Sequence, residues 1–390
     1  MSYQRAIDAI HLRLTGGLAE QETLDHPAFM AELLGRDPWE NPSQAYVDAY
    51  KALDIDWVIG WPRPHLSKDA FAGRSSIDLG NGTRITEWGL SGSSWREEHP
   101  FHDVEDVLRY DPLENKPCLS MVTEESARAL IANVKAQQEE MGTSCLVSGI
   151  HYTTLFQCGI MAFGWPLFLT AAGAEPERFQ RILEGFAEIT RRNLALWAKE
   201  RPPLILIHDD IAMQHGMVFH PDWYRKRLFP LYERFLEPLL ADPAIRICFV
   251  SDGDYSAVLP DLAALGFHGF FVNPNMNLAE IARTYGEDHF LVGNVDTAVL
   301  TFGTPDDVRR EVARCVEEAK PCAGHFIKAM GDLPHNIPLA NMRAYFQAIG
   351  DYRHNTASAY RRPICSDASP DKQLSLSHPL SCCKYDTKNA

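Results

Sequence analysis

The chain has 390 residues, 45% of them hydrophobic and 23% charged, with a formal net charge of −15. That length can bury a large core as one big domain or two ordinary ones, and the acidic balance without Lys/Arg clusters excludes a broad nucleic-acid or anionic-membrane surface. Nine cysteines without a CxxC pair, no signal-peptide core and no run approaching the roughly 20 apolar residues of a membrane span predict a soluble, cytoplasmic protein.

Residues 3–14 place Ile7, Ile10 and Leu14 at helical spacing, and a polar helical stretch over 20–50 leads to a strand candidate, Asp54–Gly60, ending at Trp61-Pro62-Arg63-Pro64. Ser76–Gly89 alternates on either side of Asn81-Gly82, a hairpin signal. From 124 a βα rhythm sets in. Helix 124–141 precedes the strand Cys145–Ile150, which ends at His151-Tyr152. The segment Pro176–Glu200 starts on a helix-initiating proline and shows one face of Phe179, Ile182, Leu183, Phe186 and Ile189. It leads into Leu204–Ile207, an apolar run that stops on His208-Asp209-Asp210. Helix 222–240 and strand Ile245–Val250 follow, ending at Ser251-Asp252-Gly253-Asp254. Helices 256–265, 277–285 and 305–319 alternate with strands His268–Val272, His289–Gly293 and His325–Lys328.

Seven strand candidates, with a degenerate eighth over 24–29, predict a (β/α)8 TIM barrel over 1–352 with an N-terminal helical and hairpin extension. A doubly wound open sheet is the alternative, weakened because no GxGxxG follows any strand. Residues 353–390 are rich in Ser, Pro, Asp and Lys and predict a disordered tail, in which Cys382-Cys383 reads as an incidental pair.

In a parallel barrel the chemistry sits at the carboxyl ends of the strands. The candidate catalytic residues there are Asp210, Asp209, His151 and Lys328. Adjacent acids resist joint ionisation, and a lysine ending an apolar strand needs a carboxylate partner or a substrate anion. Tyr152, Asp252, Asp254, Asn294 and Asp296 share that rim as substrate-binding candidates, and the hairpin adds Arg84, Glu87 and Trp88 if it folds over the mouth. The structural alternatives are helix capping for one Asp of the pair, a solvated turn at Asp252–Asp254, loop capping for the Asn residues, a core His208 and Tyr152, and an ordinary surface hairpin. Cys158 reads as a small core residue. Asp210, Asp252 and Asp254 are weak candidates for a hard metal ion; the leading expectation is no metal and no cofactor.

Several collinear stretches resemble the uroporphyrinogen decarboxylase superfamily, which also contains methyltransferases that work with corrinoid proteins. They are Ile207–Asp210 with Phe219–Tyr224 and Pro230, Leu259–Leu262 with Leu265-Gly266, Val292–Thr297 with Gly303-Thr304-Pro305, and Pro338–Met342. The resemblance implies a barrel enzyme, and relatives suggest a homodimer. It does not carry over the usual catalytic sets. The decarboxylases' N-terminal Arg-Gln-Ala-Gly-Arg motif is absent, their catalytic Asp after the second strand meets Trp61-Pro62-Arg63, and their active-site Tyr corresponds to Cys158. The corrinoid-linked branch's zinc ligands, His-x-Cys and a later Cys, fall at Val250, Asp252 and Met330 or Gly331, so the soft donor set is lost. The expected function is cofactor-free decarboxylation of a small or medium carboxylated metabolite. A methyltransferase or demethylase, and a non-catalytic tetrapyrrole or metabolite binder, are the alternatives. The expected partner is a small molecule, with no nucleic acid and no membrane.

Overall fold

In the computed structural model, residues 2–13, 16–60, 99–114 and 123–353 are described in full, and 75–78, 84–88, 93–98 and 354–355 by their backbone alone. Eight parallel strands form the wall: β1 (Ala19–Glu20), β2 (Trp57–Ile59), β3 (Leu146–His151), β4 (Leu204–His208), β5 (Arg246–Val250), β6 (Gly269–Val272), β7 (Phe290–Gly293) and β8 (His325–Ile327). They are hydrogen-bonded in the order β1-β8-β7-β6-β5-β4-β3-β2, and a parallel bridge between Gln21 and Trp57 returns β2 to β1. This is the (β/α)8 barrel expected from the alternation.

The strands form where apolar runs can be buried on both faces. In β4, Leu204 and Leu206 join the cluster inside the barrel, while Ile205 and Ile207 join the layer under the helices. Trp57 fills the middle of the lumen, with Phe271, Phe290 and Phe326 edge-on to it at 6.0, 6.5 and 5.1 Å between ring centres. Helix α1 (Ser2–Ile10) plugs the amino-terminal end: Ala6, Ala9 and Ile10 belong to the same cluster, and Arg246, at the start of β5, donates to His11. A Cβ on Gly324 would lie 2.4 Å from the Ala9 carbonyl oxygen, so the plug fits against bare backbone. With the lumen packed and one end closed, only the carboxyl ends of the strands are left for a site.

Around the barrel run α2 (Glu124–Met141), α3 (Leu155–Ala174), α4 (Pro176–Glu200), α5 (Phe229–Leu240), α6 (Leu278–Tyr285), α7 (Pro305–Ala319) and α8 (Leu339–Asn355). The periodicity locates α2, α4 and α7, but other expectations need correction. The first barrel strand is Ala19–Glu20 rather than 24–29; Leu24–Asp25 instead pairs with Leu333–Pro334, and Pro27–Leu34 is helical. Its apolar signal is hidden because acids and an amide surround it. The 222–240 segment is two helices, Pro221–Arg227 and α5. The hairpin pairs as expected, Ser75–Asp78 against Arg84–Trp88, and gains a third antiparallel strand, Ser93–Glu98.

Helix α3 has no counterpart in the sequence reading. It is apolar on all sides, so the period that marks a surface helix is missing, and it bends at Gly164 (φ 74°), two residues before Pro166. With a mean hydropathy of 1.5 it is long and apolar enough to cross a membrane, contrary to the expectation that no segment is; 67% of that stretch is buried within the fold, as in a core helix.

The last helix also runs past 352. Arg353, 6% exposed, is pinned beside the start of the barrel: its guanidinium meets Glu20 at 2.7 Å, Asp54 at 3.4 Å and Asp56 at 3.5 Å. Arg5 of the plug helix meets the same Asp54 and Asp56, each at 2.7 Å. These three carboxyls share two guanidiniums. Burial, against the pull of Arg353, pushes Glu20 up to about 8. Arg353 therefore belongs to the barrel, not to the tail. Its replacement by Met, or truncation after Tyr352, strands buried acids and should lower stability by about 3–5 kcal/mol in urea denaturation, as expected when one partner of a buried pair is removed. A loss under about 1 kcal/mol would show that the cluster is not stabilising.

Candidate active site

The alternation along β4 decides what its three polar terminal residues do. Leu204 and Leu206 face the lumen, so His208 and Asp210 continue that side, and Asp209 turns outward with Ile205 and Ile207. Asp209 is fully buried and accepts from the backbone N–H groups of Phe156 (3.0 Å) and Gln157 (2.7 Å), at the start of α3, and from the Tyr232 hydroxyl of α5 (2.5 Å). It caps a neighbouring helix from outside, where the orphan N–H groups and the positive end of the dipole favour an acid. Asp209 is thus a structural carboxylate and is removed from the catalytic candidates.

His208 and Asp210 form a pair on the inner side. His208 Nε2 lies 3.2 Å from Asp210 Oδ1, and its Nδ1 lies 2.6 Å from the Tyr152 carbonyl oxygen. Both ring nitrogens face acceptors, so the geometry asks for two N–H donors, which only the imidazolium has. Burial alone would lower its pKa, but the Asp210 charge and these hydrogen bonds outweigh it and raise it to about 9. The Tyr152 ring stacks over the imidazolium at 4.4 Å between centres and 14° between planes. Asp210 also accepts from the Asp252 backbone N–H at 2.8 Å and the Gln157 side-chain amide at 3.1 Å. Against its burial, the imidazolium holds Asp210 below the usual carboxylate range.

Asp252, on the next strand end, shows the opposite tendency. It reaches solvent, yet it is recessed among protein atoms; that burial and the Asp210 carboxylate push its pKa up, against the pull of His208 and Lys328. Lys328 ends β8 on the lumen side, 3% exposed, with Nζ donating to the Gly331 carbonyl oxygen at 2.9 Å. Burial lowers its pKa, opposed by Glu22, Asp332 and Asp252. The structure therefore brings Tyr152, His208, Asp210, Asp252 and Lys328 to one rim.

Other candidates fall elsewhere. His151 pairs in register with the outward-facing Ile207 and lies buried under the helices, where desolvation pushes it down to about 4. It leaves the catalytic set. Asn294 is held by Arg314 through its side-chain oxygen (3.0 Å) and donates to the Asn273 carbonyl (3.2 Å), and Asp296 caps Ala298 (2.8 Å): both are loop-holding residues. Asp254 accepts from the Ser256 N–H at 3.0 Å in a local turn. No group of three His, Cys, Asp or Glu side chains converges as a metal site among the described residues. Arg84, Glu87 and Trp88 lie on a described strand, but their side chains are outside the described residues. Cys158 is a buried core residue, as expected.

Gln157, Gln21, Glu22 and Asp332 escaped the sequence reading. Gln157 sits on the unread helix α3; Gln21 and Glu22 end the hidden strand β1; Asp332 follows Gly331 in the loop after β8, where an acid beside the strand-ending Lys328 was the available signal.

The sequence model for Uroporphyrinogen decarboxylase (URO-D) matches residues 98–352. A uroporphyrinogen decarboxylase from Alkalilimnicola ehrlichii is 27% identical over 179 residues, which are 45% of this chain and 47% of that protein; the chain thus matches about half the length of this relative. A solved methyltransferase from Methanosarcina mazei is similar in fold, with a TM-score of 0.63 at 15% identity, covering 90% of this chain and 98% of that one.

The different duties of the adjacent acids can be separated by substitution. Asp209→Ala leaves two N–H groups and a buried hydroxyl without an acceptor, at about 1–3 kcal/mol each, so chemical denaturation should show a loss above about 3 kcal/mol. Asp210→Asn keeps an acceptor and should lose far less. Equal losses would mean that Asp209 has no special structural role.

Proposed function

The chain belongs to the uroporphyrinogen decarboxylase family, and from that premise we propose that it is a carbon–carbon lyase that removes a carboxylate as CO2 from a small or medium metabolite at the barrel mouth, without a metal. The observation that carries this reading is the pair of lumen-side carboxyls driven apart in protonation: Asp210 held ionised by the His208 imidazolium, Asp252 pushed towards its neutral acid. Two acids separated in this way divide the roles of fixed charge and proton donor. When the bond to the carboxylate breaks, CO2 leaves and the electron pair stays on carbon. Asp252, solvent-accessible and with its pKa raised, is placed to give its proton to that carbon and to be recharged from water. His208 has both N–H groups committed, so its part is to fix Asp210 and the local charge.

The methyl-transfer reading of the superfamily draws less support from this rim. Val250, Asp252, Met330 and Gly331 offer neither thiolate nor imidazole at the positions where the resemblance places that branch's zinc ligands, and both ring nitrogens of His208 face acceptors.

The test is release of labelled CO2 from carboxyl-labelled candidate acids. Asp252→Asn should lower kcat by about 10²–10⁴-fold, the usual contribution of a positioned acid, with the fold retained; unchanged turnover, or substrate loss without CO2, would overturn the proposal. The pH dependence has a definite sign. Asp252 must be protonated, so activity is full at low pH and falls as pH rises through its elevated pKa. Asp210→Asn removes the like charge, so this alkaline limb should move to lower pH. The same variant should bring the His208 titration, followed by NMR, down from about 9 towards the ordinary value. Because the folded pKa of His208 is raised, its stabilising contribution is complete below about 6.5 and lost as pH passes through about 9.

A further inference from the structure

Lys328 is poorly placed to serve only as a counter-ion. It forms no ion pair among the described residues, its Nζ being occupied by the Gly331 carbonyl. Beside it on the neighbouring strand stands Gln21. The β1–β8 ladder pairs Ala19 with Phe326 and Glu20 with Ile327, and the Gln21 N–H donates to the Ile327 carbonyl at 3.1 Å; the next step brings Gln21 level with Lys328. Ala19 and Phe326 face the lumen, so Gln21 and Lys328 do as well. Gln21 is completely buried, and neither its amide nitrogen nor its amide oxygen has a hydrogen-bond partner among the described residues. An amide with both ends unmatched in a packed barrel costs free energy unless something else meets it.

We propose that Lys328 acts as an amine nucleophile that forms an imine with the carbonyl of a β-keto acid, with the Gln21 amide holding the carbonyl oxygen during the addition. This deepens the decarboxylation proposed above and rests on it, naming the substrate class. The amine adds to the ketone carbon and water leaves, giving an iminium. The bond to the carboxylate then breaks: CO2 departs and the electron pair moves through the adjacent carbon to the iminium nitrogen, giving an enamine. A proton from Asp252 goes to that carbon, and water hydrolyses the resulting iminium, returning the amine and releasing the ketone. No oxidant, reductant or metal enters the balance. Burial lowers the Lys328 pKa against the pull of Glu22, Asp332 and Asp252, which favours the free amine that this step requires.

The experiment uses the full chain with acetylacetone, a diketone that traps a reactive lysine as a stable enaminone, and separately acetoacetate with borohydride, which reduces the imine. Peptide mass mapping should place both adducts on Lys328 of the wild-type protein. Labelling spread over surface lysines, with none at Lys328, would overturn the proposal. Lys328→Arg keeps the positive charge but cannot form an imine, so it should lose the adduct and CO2 release together; CO2 release at the wild-type rate would sink the imine and leave the decarboxylase reading standing. An adduct at Lys328 without CO2 release from any β-keto acid would do the reverse. Gln21→Leu, which keeps the amine and removes the amide, should slow adduct formation at Lys328, and an unchanged rate would remove Gln21 from the addition.

Discussion

One buried carboxylate ties the candidate rim to the rest of the barrel. Asp209 has no access to water and takes its hydrogen bonds from the first turn of α3 and from Tyr232 on α5, while Thr154, just before α3, donates to the His208 carbonyl at 3.1 Å. Strand, preceding helix and following helix are thereby fixed to one another at the point where β4 ends. The consequence reaches the lumen through a single residue. Gln157 gives its backbone N–H to Asp209 on the outer side and its side-chain amide to Asp210 on the inner side. The position of the inner acid therefore depends on the cap made by the outer one, and a structural carboxylate sets the geometry of a chemical one.

The charges at the rim follow from what packing leaves open. The lumen below is closed by Trp57 and its phenylalanine neighbours, and the far end by α1, so ionised groups can keep some contact with water only at the upper strand ends. There, Asp210, Asp332, His208 and Lys328 act on Asp252, and Asp332 and Asp252 act on Lys328. Low polarity strengthens each of these interactions. The result is a graded set of groups: Asp210 shifted towards its ionised form, Asp252 towards its neutral acid, His208 towards the imidazolium and Lys328 towards the free amine. Such a gradient suits a reaction in which a proton replaces a departing group on carbon, and it is built from adjacent strands rather than from any contiguous motif.

Much of this was legible in the sequence. Apolar runs bounded by polar residues located seven of the barrel strands, because strands covered on both faces must be apolar throughout. Amphipathic helices over 124–141, 176–200 and 305–319 were equally plain. What could not be read has physical causes. Helix α3 is buried on nearly every side and lacks a polar face, and β1 is two residues long among acids. The paired acids after β4 were recognised as special, but which faced inward depends on register, and a shift of one residue exchanges them. For the same reason His151 was assigned to the mouth when its neighbour Tyr152 is the residue that reaches it. Gln157 and Glu22 act through contacts between distant parts of the chain and left no local pattern, whereas Asp332 lies in the loop just after Lys328.

The zinc donors that the resemblance calls for and the His208–Asp210 pair make opposite demands on this rim. A zinc site needs neutral imidazole and thiolate, and so requires an electrostatic setting that strips protons from its ligands. The rim here does the reverse: Asp210 raises the proton affinity of His208, and burial raises that of Asp252. A single pocket cannot favour both. Val250, two residues before Asp252, packs as an apolar side chain against the lumen cluster. Under the proposed reaction, a rim that raises proton affinity in this way would supply the proton that replaces the departing carboxylate.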